Sequence, residues 1–360
     1  MPAKSAVAVN GRYTVHRVTG VQRYAREIVA CLGSAVYLIA PRNAKGTIGH
    51  LWEQTVLPAS CGGRLLWNPG GTGPALYHRQ VVTFHDLFPL EHPEWYSQTY
   101  AAWYKVLLQH IAKRSLHLIA VSEYTKSRIV STLGRNPEDI TVIHNGLTSG
   151  CARVGQDEAL ATGRILNLPS RRYILSLSSI ESRKNLRTLL EAWVHVLPVL
   201  PHDVWLVLAG PKADGAVYSE QTLPKNVPRV FFAGYVPDNQ LAGLYTGASL
   251  FIFPSLAEGF GIPLLEAMGC GLRCITSNTS SLPEVGGDVV RYVSPLDAVG
   301  LAHAIRDELG ASQVPLPFYP AMERAKRFTW RAAASKTLEV LEAASQLQPS
   351  MQSIRRPAAV

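Results

Sequence analysis

The sequence predicts an α/β protein built from two Rossmann-like, doubly wound domains that face one another across a cleft. Three observations carry this. Short β-rich runs alternate with helical segments, the pattern of an open, mostly parallel sheet covered on both faces. The plan is played through twice. The length, 360 residues, suggests two domains at roughly 100–200 residues each.

In the first half, strands are expected at 6–9, 36–40, 81–85, 116–121 and 140–144. A helix over 20–32 has its apolar residues at helical spacing (Val21, Tyr24, Ile28, Cys31, Leu32), and further helices fit 97–114 and 123–133. The turn-prone stretch 169–172 reads as the linker, which divides the chain into a first domain of 1–168 and a second of 169–325. In the second half, strands are expected at 173–177, 205–209, 230–233, 250–253, 273–276 and 289–293, with helices at 186–197, 239–246, 263–268 and 298–309. A last helical stretch covers 321–344, and the tail from Gln348 reads as disordered.

Composition sets the outer limits. With 47% hydrophobic and 17% charged residues, the chain can bury large cores and is not intrinsically disordered. No apolar run approaches the ~18–20 residues of a membrane span, and the first residues lack a signal-peptide pattern. The five cysteines are scattered and odd in number. They offer neither a disulfide framework nor a metal spacing, and they fit a reducing cytosol. The net charge of +9 is uneven: residues 1–165 hold 17 Lys/Arg against 10 Asp/Glu, and residues 166–360 hold 18 against 16. A basic first half suits an anionic surface such as a membrane, whereas no nucleic-acid signature appears.

Ligands of such sheets sit beyond the carboxyl ends of the strands, so the strand-to-helix loops carry the functional signal. In Phe253-Pro-Ser-Leu-Ala-Glu-Gly-Phe-Gly-Ile-Pro-Leu-Leu-Glu266, a buried strand ends, a glycine loop follows and a helix opens at Pro263. Free N–H groups at that helix start make an anion site. Gly259 and Gly261 let backbone approach a ligand closely. Glu258 and Glu266 flank the site with acceptors, an arrangement suited to a phosphate between two polyhydroxyl groups, as in a nucleotide sugar. In Ser178-Ser-Ile-Glu-Ser-Arg-Lys-Asn185, the adjacent cations Arg183 and Lys184 can neutralise a pyrophosphate. In Val81-Val-Thr-Phe-His-Asp86, His85 stands at a strand end, where an imidazole can hydrogen-bond a sugar hydroxyl or act as acid or base. Thr19-Gly20 opens the first long helix toward the cleft. The glycine loop 68–74 lacks P-loop and dinucleotide spacing, and Ser122 reads as a helix cap. Gly-x-Ser-x-Gly and His-Glu-x-x-His are both absent, which removes the common hydrolase classes.

These residues together resemble the retaining GT-B glycosyltransferases of family 4, also called glycosyl transferases group 1. The resemblance rests on the Glu258-x7-Glu266 element, the Arg183-Lys184 pair, the stretch Val-Thr-Phe-His-Asp-Leu-Phe-Pro-Leu-Glu-His-Pro-Glu-Trp95, the stretch Thr-Val-Ile-His-Asn-Gly-Leu147, where His144 replaces a proline, and Phe328-Thr-Trp330 at the start of the final helix. It implies that the second domain binds the nucleotide diphosphate sugar, that the first binds the acceptor, and that a C-terminal helix at 326–346 crosses back to the first domain. Glu266 is then expected at the ribose hydroxyls, Glu258 at the sugar hydroxyls, and the backbone of Gly259, Phe260, Gly261 and Ile262 near sugar and phosphates. Arg183 and Lys184 belong at the diphosphate with Ser179 and Gly20 beside the donor, and His85 touches the donor sugar from across the cleft. No metal or other cofactor is expected, in keeping with the lack of an Asp-x-Asp motif.

The resemblance is strongest to bacterial enzymes of surface polysaccharide synthesis, such as those building lipopolysaccharide O-antigen chains. It implies a cytoplasmic transferase, peripheral at an anionic membrane, moving mannose or rhamnose from GDP to a lipid-linked oligosaccharide acceptor. A related nucleotide-sugar epimerase, a phosphorylase or a silent nucleotide-sugar-binding partner protein are the alternatives.

Overall fold

The computed structural model describes residues 7–43, 45–212, 214–215, 217–218, 223–224, 226–310 and 317–347. The tail expected to be disordered lies outside the described residues.

The first sheet is formed by β1 (Val7–Asn10), β2 (Tyr37–Ile39), β3 (Leu65–Asn68), β4 (Gln80–Phe84), β5 (His117–Ala120) and β6 (Ile140–Val142), all parallel, in the order β2-β1-β3-β4-β5-β6. Its helices are α1 (Gly20–Leu32), α2 (Gly46–Gln54), α3 (Val56–Ser60), α4 (Phe88–Glu91), α5 (Gln98–Arg114) and α6 (Glu123–Leu133). The second sheet contains β7 (Arg172–Leu177), β8 (Val204–Ala209), β9 (Val230–Gly234), β10 (Leu250–Phe253), β11 (Cys274–Ser277) and β12 (Arg291–Val293), also parallel, ordered β12-β11-β10-β7-β8-β9. Around it lie α7 (Gln156–Ile165), α8 (Leu186–Val196), α9 (Asp238–Gly247), α10 (Ile262–Gly269), α11 (Leu282–Gly286) and α12 (Ala298–Gly310). Last come α13 (Tyr319–Ala325) and α14 (Trp330–Gln346).

The alternation along each strand explains the layers. In β10, Leu250 and Ile252 pack with α8 and α12 through Leu189, Trp193, Leu301 and Ile305, while Phe251 and Phe253 point to the opposite face with Leu244, Leu264 and Leu265. Both faces are thus buried, and the strands read as continuous apolar runs.

Most expected elements are present within a residue or two. Strand β3, central in its sheet, was not expected: Leu-Leu-Trp-Asn is only four residues, hemmed between Gly62-Gly63 and Pro69-Gly-Gly. The helices α2 and α7 were also not expected, because their buried faces are Gly49 with Glu53 and Ala159 with Thr162, which give no apolar stripe. The single helix expected over 321–344 is two, separated at Lys326–Thr329, where Thr329 caps the second. Helix α7 packs on α9, with the Thr162 hydroxyl against Gly243, so its packing lies with the second sheet although the sequence boundary sets it in the first domain.

The final helix α14 returns to the first domain and lies on α1, with Trp330 edge-on to Tyr24 at 6.1 Å. Its entry demands a glycine at 146: a Cβ there would stand 2.2 Å from the Trp330 backbone nitrogen. Gly146→Ala is therefore expected to destabilise the protein by about 1–3 kcal/mol, the usual cost of overpacking, since backbone rather than a side-chain tip must yield. Denaturant unfolding of the two proteins checks this.

Candidate active site

In a doubly wound sheet, the crevice opens where strand order reverses. In the second sheet that point is β7, with β10 on one side and β8 on the other. The loops after β7 and β10 therefore meet at the carboxyl edge, and these are the two loops the sequence singles out. Asn185, in the left-handed conformation, stitches them together: its Nδ2 donates to Pro254 O at 3.0 Å and Pro295 O at 2.6 Å. Leu256 N donates to Arg183 O at 2.8 Å.

Four charges lie between the loops. Glu258 is 6% exposed. Arg183 Nη1 donates to one of its oxygens and Lys184 Nζ to the other, each at 2.7 Å. Arg183 Nη2 also donates to Glu181 Oε1 at 2.7 Å, and Nη1 to Ala257 O at 3.0 Å. Burial works to raise the Glu258 pKa, but Arg183 and Lys184 outweigh it and hold the carboxyl down to about 2. Arg183 Nε is buried without a hydrogen-bond partner. Glu181, 1% exposed, was passed over in the sequence; its signal was an acid two residues ahead of the cation pair, in the same loop. Ser179 is half-buried in that loop.

The glycine loop is held through its carbonyls. Ser281 Oγ donates to Glu258 O and Phe260 O at 2.8 and 2.9 Å, and Ser122 Oγ donates to Gly259 O at 2.7 Å. Ser122 also caps α6, as expected, by accepting from Thr125 N. The N–H groups of Gly259, Phe260, Gly261 and Ile262 meet no acceptor among the described residues. They form a free donor set at the start of α10, with the positive end of its dipole behind them. The Phe260 ring is not on offer to a ligand, being packed against His144 and Phe328 at 5.9 and 5.8 Å. Glu266, one turn into α10, is 3% exposed and accepts from Thr148 Oγ1 and, at 3.0 Å, from Tyr245 Oη. Burial raises its pKa.

The first domain closes the site. Gly259 packs directly on the His85 carbonyl, where any Cβ would fall 1.8 Å from the oxygen. Gly20, at the start of α1, faces Ile262 across the cleft. Asp86 lies near Arg183, and burial pushes its carboxyl up to about 6 against that cation's pull. The His85 ring sits edge-on to Tyr24 at 4.9 Å, with Nε2 2.8 Å from Pro69 O. A carbonyl only accepts, so Nε2 carries the proton and Nδ1 is left as an acceptor. Burial pulls the imidazole down to about 4, so it is neutral at pH 7. Of the roles open to His85 in the sequence, donation to a sugar hydroxyl is therefore not available to the neutral ring, because its one N–H is already spent. Interdomain ties complete the closure: Arg23 pairs with Asp238 at 2.7 Å, and Glu284 accepts from Glu123 N at the start of α6 and pairs with His144. All five cysteines are free, and no cluster among the described residues has the makings of a metal site.

Residues 164–309 match the family described as Glycosyl transferases group 1, and residues 57–149 match Glycosyltransferase Family 4. The chain is a glycosyltransferase, with one stretch that matches each of these two families. It is 29% identical over 279 residues to the O-antigen chain mannosyltransferase B of Escherichia coli, covering 74% of this chain and 72% of that one. It is 28% identical over 283 residues to the serotype-specific mannosyltransferase WbdA of the same species, covering 72% of this chain but only 33% of that longer protein. Among solved structures, Anabaena Alr3699/HepE, in complex with UDP and glucose, superposes with a TM-score of 0.70 at 17% identity, covering 94% of this chain and 99% of that one. Sucrose-phosphate synthase from Thermosynechococcus elongatus gives 0.73 at 18%, covering 94% and 98%. The architecture is thus the GT-B fold of two facing α/β domains.

Glu258→Gln is expected to destabilise the fold by about 3 kcal/mol at neutral pH, since it leaves two enclosed cations, Arg183 and Lys184, to share the single carboxylate of Glu181. The pH dependence has a fixed sign. The folded pKa is depressed, so the stabilisation is complete above the ordinary value of 4.5 and fades as pH falls toward about 2. The gap between wild type and variant in urea unfolding is expected to narrow through that window; a gap independent of pH contradicts the assignment.

Proposed function

We propose that the enzyme is a retaining, metal-independent mannosyltransferase that uses GDP-mannose to extend a lipid-linked surface polysaccharide. The observation that carries the reading is the pairing of Arg183 and Lys184 with Glu258 beside the free N–H groups of Gly259–Ile262. The names of the relatives, O-antigen chain mannosyltransferase B above all, support the sugar and the product class.

In this reading, the diphosphate lies over the start of α10, its charge met by those N–H groups and by the two cations. The ribose hydroxyls donate to Glu266, whose oxygens have acceptor capacity beyond Thr148 and Tyr245. Glu258 takes hydroxyls of the sugar. As the bond from the anomeric carbon to the phosphate oxygen breaks, negative charge grows on the leaving diphosphate, and the preorganised Arg183 and Lys184 stabilise it more than they do the ground state. The acceptor hydroxyl attacks from the same face. Its proton passes to the leaving phosphate, GDP departs, and the configuration is kept. No protein base takes part, in keeping with a His85 ring that burial holds down to about 4, which leaves its free Nδ1 a weak base.

Transfer from GDP-mannose is the test, with the anomeric configuration of the product read by NMR. An α-linked product is expected, and a β-linked one overturns retention. Lys184→Ala is expected to lower turnover by roughly 10²-fold with a smaller effect on the donor KM. The net +7 of residues 1–165 is proposed to bring the enzyme to anionic membranes, since no helix among the described residues is long and apolar enough to cross one. Sedimentation with anionic vesicles should fall as salt rises, and equal binding to neutral vesicles contradicts it.

A further inference from the structure

The first sheet has its own reversal of strand order, between β1 and β3. There the loops after these strands, carrying Arg12 and Thr72, open into a cavity of about 900 Å³. Its floor is a buried polar network centred on Glu53, which is 0% exposed. Asn10 Nδ2 and Thr72 Oγ1 donate to Oε1 at 2.7 and 2.9 Å, and Arg12 Nη1 donates to Oε2 at 3.0 Å. His50 Nδ1 stands 3.7 Å from the same Oε2. Burial works to raise the Glu53 pKa, but His50, Arg12 and Asn10 outweigh it, and the group stays a carboxylate.

Arg12 spends only Nη1 on this network. Its Nε is buried with no hydrogen-bond partner, and Nη2 meets no acceptor among the described residues. A guanidinium pinned in this way keeps Nη2 as a donor for whatever enters. Its charge is already answered by Glu53, and the other two charged residues of the lining, Lys45 and Asp214, are of opposite sign, so the cavity offers an anion no net positive charge. The wall is aromatic: Tyr100, Trp103 and Tyr104 come from α5, with Trp103 set edge-on to His50 at 5.7 Å and 40% exposed. Apolar ring faces with hydroxyls around them suit such a wall. Gly70 also lines the cavity, in the turn whose Pro69 carbonyl holds His85, and the carbonyl of His85 rests on Gly259 of the second domain's glycine loop. Val217 of the second domain lines it too.

We propose that this cavity binds the end of the acceptor glycan as a neutral sugar chain, stacked on Trp103 and hydrogen-bonded through its hydroxyls by Arg12. Glu53 acts as a positioning residue that fixes Arg12. The assignment rests on the transferase reading above and adds the groups that recognise the acceptor.

The test uses the full chain, α-linked mannotriose as probe, inorganic phosphate as competitor, and GDP-mannose thermal stabilisation as an independent report on the donor side. Saturation-transfer NMR is expected to detect mannotriose on wild type, and phosphate is expected not to displace it. Arg12→Gln and Trp103→Ala should raise the acceptor KM about tenfold or more, with stabilisation by GDP-mannose retained. Glu53→Gln should follow Arg12→Gln in KM rather than in turnover. Thr72→Val, which removes one of the donors to Glu53 without touching charge, gives a milder second reading if Glu53→Gln fails to fold. No mannotriose signal from wild type, a signal and KM indifferent to Arg12→Gln and Trp103→Ala, or displacement by phosphate each overturns the proposal. Loss of GDP-mannose stabilisation in wild type counts against the donor reading instead.

Discussion

A carboxylate enclosed with two cations, Glu258 between Arg183 and Lys184, is the contact on which the rest of the site depends. Burying these groups is costly, and only close pairing offsets the lost hydration. That requirement locks the loop after β7 to the loop after β10. The locked loop then leaves the N–H groups of Gly259–Ile262 unspent at the start of α10, while Ser122 and Ser281 occupy its carbonyls. A donor phosphate would not find bare cations. It would enter a nearly balanced cluster and share its cations with Glu258 and Glu181, which keeps the site stable when empty and polarised when filled.

The second constraint is closeness between domains. The His85 carbonyl touches Gly259, Thr148 reaches Glu266, and Glu284 answers the free N–H groups at the start of α6. Each of these binds a loop or helix of the second domain to a first-domain element. The two crevices, one at the strand reversal of each sheet, are therefore held on either side of a single turn, Pro69–Thr72 with His85.

Much of the second domain was legible in the sequence because its strands are continuous apolar runs and its charged loops follow them directly. Glu258, Arg183 and Lys184 were found this way and do converge. The first domain was harder to read. Strand β3 is four residues between glycine pairs, and α2 turns Gly49 and Glu53 inward, so periodicity had nothing to register. The same feature that hid α2, a carboxylate on its buried face, makes the floor of the first-domain cavity. His85 does stand where its carbonyl meets Gly259, but its hydrogen bond to Pro69 belongs to a turn that sequence spacing does not reveal. Phe260 reads as part of the loop, yet its ring is core, because the return of the chain at Phe328 covers it.

A crystal structure of the enzyme with GDP tests most directly whether the Arg183–Lys184–Glu258 cluster receives the donor diphosphate. Phosphate oxygens are expected within hydrogen-bond distance of Arg183 and Lys184 and of the N–H groups that open α10, with at least one cation shared between phosphate and Glu258. GDP bound elsewhere, with both cations still paired to Glu258 and the N–H groups of Gly259–Ile262 unmet, would contradict it.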